Sequence, residues 1–106
     1  MSQRLNYLTQ LNESSPDDSF VLFALAKEYE KTGDSDQALV FYEKLRVMDP
    51  GYVGLYYHLG KLYELKADPE NAITAYWQGI EVARSAGDRH AESELRGALL
   101  NWEDPE

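Results

Sequence analysis

Two lysines and two glutamates recur at the same spacing in this chain and are the first candidates for a functional site. Lys27 and Lys61 lie 34 positions apart, and so do Glu30 and Glu64. Each lysine precedes its glutamate by three residues, a spacing at which side chains on one helix face interact. The lysines could bind the carboxylates of a partner. Alternatively, each could be neutralised by its own glutamate in an exposed ion pair of small energetic value.

Residue types that carry catalysis form no recognisable pattern. Cysteine is absent, so thiolate nucleophiles, thiolate metal ligands and disulfides are excluded. His58 and His90 lie in separate segments, and neither has a metal-binding partner at a known spacing. Carboxylates are numerous, but Asp34, Asp68 and Asp88 stand where helices are predicted to begin, and there an aspartate accepts hydrogen bonds from free backbone N–H groups. We therefore expect a protein that is not an enzyme and has neither metal nor cofactor.

The charge balance limits the classes of partner. The chain has 106 residues with 10 basic and 19 acidic side chains, giving a net charge of −9. Nucleic acids and anionic membrane surfaces are disfavoured, because binding to them depends on concentrated Lys and Arg. The acidic surplus is compatible with ordinary solubility, with a basic partner or with adaptation to high salt. Without cysteine, a transmembrane-length apolar run or a recognisable secretory signal, a cytoplasmic location is expected.

Helical periodicity runs through the whole chain, and clusters of Gly, Pro and Asp divide it into segments of about 12–16 residues. The pattern predicts an all-α chain of about six helices. Ser15 is predicted to cap the second helix, with Pro16 in its first turn. Gly33 is predicted to end that helix in the left-handed conformation. Helices three to five are expected near 35–48, 53–66 and 69–84.

A period of 34 residues relates positions 19–52 to positions 53–86. Seven identities recur: Leu25/Leu59, Lys27/Lys61, Tyr29/Tyr63, Glu30/Glu64, Asp34/Asp68, Ala38/Ala72 and Tyr42/Tyr76. The first unit also carries Leu22, Ala26, Leu45 and Pro50, and the second carries Tyr56, Gly60, Gly79 and Arg84 at the corresponding positions. In this pattern of small and large residues the chain resembles a tetratricopeptide repeat (TPR) domain. It departs from that pattern at Arg84, where proline is expected.

The resemblance implies a right-handed superhelical stack of antiparallel helix hairpins. On this register residues 1–106 form a single TPR domain, with repeat 1 at 19–52 and repeat 2 at 53–86. Residues 3–14 would be an N-terminal capping half repeat, and residues 88–102 a C-terminal capping helix. Caps are expected because one hairpin cannot bury its own apolar faces and must stack on a neighbour.

The resemblance also implies a binding surface, since the first helices of successive repeats line a concave groove that binds peptides. The candidate groove residues are Phe20, Phe23, Lys27, Tyr57, His58 and Lys61. On adjacent helices the two lysines are expected about 10 Å apart. The predicted function is a non-catalytic interaction module whose partner is a protein or peptide of unknown identity.

One specialised form of this function is disfavoured, and one alternative stays open. Chaperone-binding TPR domains hold two carboxylates in a clamp of Lys, Asn and Arg, but the corresponding positions here are Phe23, Lys27, His58, Asp88 and Glu92.

The alternative is a self-associating structural domain, a homodimer in which another copy covers the exposed aromatics. Trp102, with Leu99 or Tyr52, is expected to join such a surface. In another alternative, the N-terminal helix of the same chain covers Phe20 and Phe23.

Overall fold

The computed structural model describes residues 2–102 and contains six α-helices with no strand among those residues. The all-α class and the helix count are as predicted. The helices are α1 (Gln3–Ser14), α2 (Ser19–Lys31), α3 (Ser35–Met48), α4 (Leu55–Leu65), α5 (Pro69–Ala86) and α6 (Arg89–Leu100). Across this described part of the chain, no helix has both the length and the apolarity needed to cross a membrane.

The helices group into two compact units, one ending at Pro50 and the other beginning at Gly51. In the first unit α1 packs on α2, and α2 forms an antiparallel hairpin with α3. In the second unit α4 and α5 form the corresponding hairpin, and α6 packs mainly on α5. Each unit therefore contains one helix hairpin and one additional helix.

Aspartate side chains begin four of the six helices. Asp18, Asp34, Asp68 and Asp88 each accept a hydrogen bond from the backbone N–H three residues later, at 3.0–3.2 Å. The predicted caps at Asp34, Asp68 and Asp88 are confirmed, and Pro69 occupies the first turn of α5.

The predicted start of the second helix is wrong. Ser15 instead ends α1, with its N–H donating to the carbonyl of Leu11 at 2.9 Å. A turn follows, in which the N–H of Asp18 donates to the carbonyl of Ser15 at 3.1 Å. Because these residues form the turn, α2 begins only after Asp18, which caps it.

Left-handed residues follow three of the helices. Gly33 has φ 87°, as predicted, and Gly87 has φ 71°. Ala67, which is 34 positions after Gly33, has φ 59° although its β-carbon disfavours that conformation. Two predicted boundaries shift: α5 continues to Ala86, since Gly87 ends it, and α4 begins two residues late, after the turn that precedes Leu55.

Small residues allow close contact inside each hairpin, as the repeat pattern predicts. Ala26 and Ala38 are fully buried in unit 1. In unit 2 a β-carbon on Gly60 would overlap the ring of Tyr76, and one on Gly79 would lie 2.5 Å from Cβ of Tyr56. The large repeat residues fill the remaining space and are almost completely buried: Leu22, Leu25, Tyr42, Tyr56, Leu59 and Tyr76.

Helix α1 covers part of the apolar face of α2. The shared core consists of Leu5, Leu8, Val21, Ala24 and Leu25. Full burial of a Leu or Val side chain stabilises by about 1.5–3 kcal/mol. Helix α1 also lies beside the face of α2 that carries candidate site residues.

Candidate functional site

The first candidate face lies on α2 and contains Phe20, Phe23 and Lys27, which are spaced three and four residues apart. Phe20 is 65% exposed, so the N-terminal helix does not cover it. Phe23 is partly buried and its ring centroid lies 6.2 Å from that of Tyr42. Lys27 is exposed, with Nζ 5.5 Å from the centroid of the Phe23 ring. That distance is within the range of a cation–π interaction.

The second candidate face lies on α4 and repeats the same arrangement. Nζ of Lys61 lies 5.5 Å from the centroid of the Tyr57 ring, the same distance as in the first unit. His58 contacts Tyr57 edge-on, with ring centroids 6.0 Å apart. The three side chains are partly buried. Each unit thus brings its own predicted site residues together, while the 10 Å separation expected between the two lysines stays a prediction.

The recurring glutamates have a structural role that the sequence reasoning missed. The hydroxyl of Tyr42 donates a hydrogen bond to Oε2 of Glu30, and the hydroxyl of Tyr76 donates to Oε2 of Glu64. Both tyrosine rings are fully buried, and a buried hydroxyl needs a partner. The signal was present in the sequence, since both glutamates precede a repeated tyrosine by 12 residues.

The environment of these tyrosines favours their neutral form. Burial raises the pKa of Tyr42 and of Tyr76 well above the usual value, and the hydrogen bond and the negative charge of the neighbouring glutamate raise it further. The hydroxyls therefore stay protonated and act as donors at any physiological pH. This arrangement holds the end of each glutamate against the second helix of its hairpin.

Glu64 has two further partners. Nζ of Lys61 lies 3.8 Å from its Oε2, and Nε1 of Trp102 donates to the same oxygen at 3.2 Å. The alternative in which a glutamate pairs with the lysine on its own helix therefore applies to Lys61.

Leu99 is only 3% exposed. It packs inside unit 2 and is not available for the self-association surface in which it was expected to join Trp102.

A depression on the first unit extends the α2 face towards α1. It has a volume of about 400 Å³ and is lined by Phe20, Phe23, Ala24, Lys27, Glu28 and Lys31 of α2 and by Arg4 of α1. Arg4, Glu28 and Lys31 were not among the predicted site residues. Arg4 was missed because its proximity depends on how α1 packs, which the repeat pattern does not determine.

A model of the family described as tetratricopeptide repeat matches this chain at residues 21–45 and 53–85. These two segments make up more than half of the chain and coincide with the two helix hairpins. The chain belongs to the tetratricopeptide repeat family. The predicted presence of two tetratricopeptide repeats is thereby confirmed, and so is the class of helical hairpin fold, while the repeat bounds 19–52 and 53–86 stay predictions.

Individual TPR proteins show how far the likeness extends. A TPR repeat-containing protein of Pseudomonas aeruginosa is 32% identical over 79 residues, which cover 74% of this chain and 75% of the relative. A TPR domain protein from Salinibacter ruber, solved by crystallography, is 48% identical with a TM-score of 0.78 and covers 84% of this chain and 99% of its own. The structure of PcrH in complex with the chaperone binding region of PopD has a TM-score of 0.85 at 15% identity, covering 92% and 74%, and shows a shared fold.

The described residues contain no group of three or more His, Asp or Glu side chains placed to hold a metal ion. What the two TPR faces offer instead is an exposed or partly exposed aromatic ring with an ammonium group above it. Such a pair contacts apolar groups through the ring and carboxylates through the lysine. These are contacts suited to recognition of a polypeptide.

Proposed function

We propose that this TPR chain is a non-catalytic protein-interaction module that binds a segment of a partner protein through its predicted groove residues, which lie on α2 in one unit and on α4 in the other. The observation that carries the proposal is the aromatic–lysine pair repeated with the same geometry in both units, Phe23 with Lys27 and Tyr57 with Lys61. Packing alone requires neither lysine. Phe20 and His58 extend the two faces.

The proposal is supported by the contacts available and by a protein of the same fold. Aromatic side chains are favoured binding anchors because they present a large area with few rotatable bonds. PcrH, which shares the fold, was solved with the chaperone binding region of PopD bound to it. We propose a cytoplasmic location, because a chain without cysteine can form no disulfide and is compatible with a reducing compartment.

The proposal is tested by charge reversal on the two faces. The double variant Lys27→Glu/Lys61→Glu and the wild type are immobilised, and the proteins each captures from extract of the source organism are compared by mass spectrometry. We expect a partner that binds the wild type and is lost from the double variant. Titration of that purified partner by calorimetry then measures the loss.

The control is Lys44→Glu, which reverses one charge at an exposed position on α3, a helix that carries none of the candidate site residues. This variant is expected to capture the same partner as the wild type. If the double variant also retains that partner with wild-type affinity, the lysines do not belong to the binding site and the proposal fails.

The second candidate function is self-association, which the exposure of large apolar side chains favours. Phe20 is 65% exposed, Trp77 48% and Trp102 40%. A second copy of the chain could cover such residues to form a homodimer. Sedimentation equilibrium of the wild type and of Phe20→Ser separates the two functions. If the wild type forms a tight dimer and the Phe20→Ser variant does not, self-association replaces partner binding as the proposed function.

A further inference from the structure

The depression between α1 and α2 concentrates positive charge in a chain that is otherwise acidic. Three of the ten basic residues of the protein line it, namely Arg4, Lys27 and Lys31. The apolar part of the lining consists of Phe20, Phe23 and Ala24. The net charge of the whole chain is −9, so the charge of this lining is opposite in sign to that of the chain as a whole.

The single carboxylate in the lining does not cancel this charge. Glu28 is 6% exposed and both of its oxygens have partners. Nε of Arg4 lies 3.4 Å from Oε1, and Oγ of Ser2 donates to Oε2 at 3.1 Å. Three cations face one engaged carboxylate, which leaves a local charge of +2 by formal count. The side chain of Arg4 remains 60% exposed, and a guanidinium has more donors than one contact uses.

We infer that this depression selects a partner segment in which a large apolar side chain is flanked by carboxylates. Phe20 and Phe23 would contact the apolar side chain, while Lys27, Lys31 and Arg4 bind the carboxylates on either side of it. The inference rests on the proposed function and adds the chemistry of the ligand and two residues, Arg4 and Lys31, to the site.

Charge complementarity favours a short acidic peptide segment over other anions. A nucleic acid or an anionic bilayer presents many charges over a wide area, and the net −9 of the chain would repel such a surface. A peptide segment presents only a few carboxylates next to an apolar group. The dimensions are also consistent, since a volume of about 400 Å³ lies within the usual range for sites that hold a compact ligand.

The experiment uses three short fluorescent peptides that differ in one feature each. The first is Gly-Glu-Asp-Phe-Glu-Asp-Gly, the second replaces each acid by its amide, and the third replaces Phe by Ala. Fluorescence anisotropy measures the affinity of the wild-type chain for each. We expect the first peptide to bind most tightly and its affinity to fall as salt is added, because salt screens exposed charge pairs.

Variants then locate the bound peptide. Removing one exposed charge pair costs roughly 0.2–1 kcal/mol, which corresponds to about a 1.4-fold to 5-fold weaker affinity for Lys31→Gln. Lys31→Glu is expected to weaken binding further. Lys44→Glu introduces the same change in net charge on α3 and is expected to reduce affinity much less. Amide chemical shifts of Arg4, Ala24 and Lys31 should change on addition of the acidic peptide.

Two results overturn the inference. One is that the acidic and amide peptides bind equally or not at all. The other is that Lys31→Glu and Lys44→Glu weaken binding to the same degree. Neither result bears on the proposed function, which depends on whether a captured partner is lost from Lys27→Glu/Lys61→Glu. Conversely, if that capture experiment fails, the peptide affinities still measure independently whether the depression binds acidic segments.

Discussion

Gly60→Ala is expected to destabilise the protein although the substitution favours helix formation. Gly60 lies within α4, and an added β-carbon would overlap the ring of Tyr76, with its Cδ1 and Cζ at 2.6 Å. The ring is fully buried and its hydroxyl is held by Glu64, so it cannot simply rotate away. Forcing a methyl group into a packed core costs about 1–3 kcal/mol.

Two considerations set the expected net effect. Replacing a helical glycine by alanine gains about 0.5–1 kcal/mol, which offsets part of the cost. In the first repeat the corresponding position is Ala26, which is fully buried in the hairpin that contains Tyr42. A TPR hairpin therefore accepts a methyl group at this position, and the cost in the second repeat is that of moving Tyr76. We expect a net loss of about 1–2 kcal/mol in the free energy of unfolding.

The assay is urea unfolding followed by far-ultraviolet circular dichroism, and the chain supplies its own control. Gly97 lies in α6, and a β-carbon added there has no neighbour within 4 Å. Gly97→Ala should therefore raise the free energy of unfolding by about 0.5–1 kcal/mol. The double variant Gly60→Ala/Tyr76→Phe should lose less from the alanine, since the ring is no longer tied to Glu64. If Gly60→Ala stabilises as much as Gly97→Ala, the packing argument is refuted.

Three further changes test other features. Glu28→Gln removes the buried charge that holds Arg4 and Ser2; we expect a loss of about 1–2 kcal/mol and faster hydrogen exchange in α1, and unchanged α1 protection would contradict this. Ala67→Gly should stabilise by about 0.5–1 kcal/mol, because φ 59° costs alanine about 1–2 kcal/mol and glycine loses part of that gain to backbone entropy; Gly33→Ala, at the corresponding position, should have the opposite sign in the same urea assay. Tyr42→Phe tests the raised pKa: unfolded tyrosine ionises near pH 10 while the folded hydroxyl stays neutral, so the stability contributed by Tyr42 is complete below pH 10 and is lost above it by about 1.4 kcal/mol per pH unit. The wild type should therefore lose stability more steeply than Tyr42→Phe between pH 10 and 11, and parallel curves would show that the pKa is not raised.

The periodic part of the structure could be predicted from the residues. Small residues at Ala26 and Gly60, large ones at Leu25 and Leu59, and aspartates at the helix starts each have a local or pairwise reason that repeats every 34 positions. A pattern of this kind determines which faces meet inside a hairpin. It therefore predicts the hairpin core and the exposure of Lys27.

Two of the features that were missed, the contacts of Arg4 and Trp102, depend on packing outside the repeat period. Arg4 reaches Glu28 only because α1 packs against α2, and Trp102 reaches Glu64 only because of where α6 ends. The wrong helix start at Ser15 has a local cause: both Ser15 and Asp18 are good caps, and the turn between them places the start of α2 after Asp18. The Glu30–Tyr42 bond was predictable, because its spacing recurs in both repeats.

The pairing of Glu30 with Tyr42 and of Glu64 with Tyr76 also bears on how such arrays change in length over evolution. In each case the donor and the acceptor lie within the same 34-residue stretch. A gene duplication or deletion with breakpoints in the loops before α2 and α4 would therefore copy or remove both partners together. No buried hydroxyl would be left without its acceptor, so this polar contact places no penalty on gaining or losing a whole repeat.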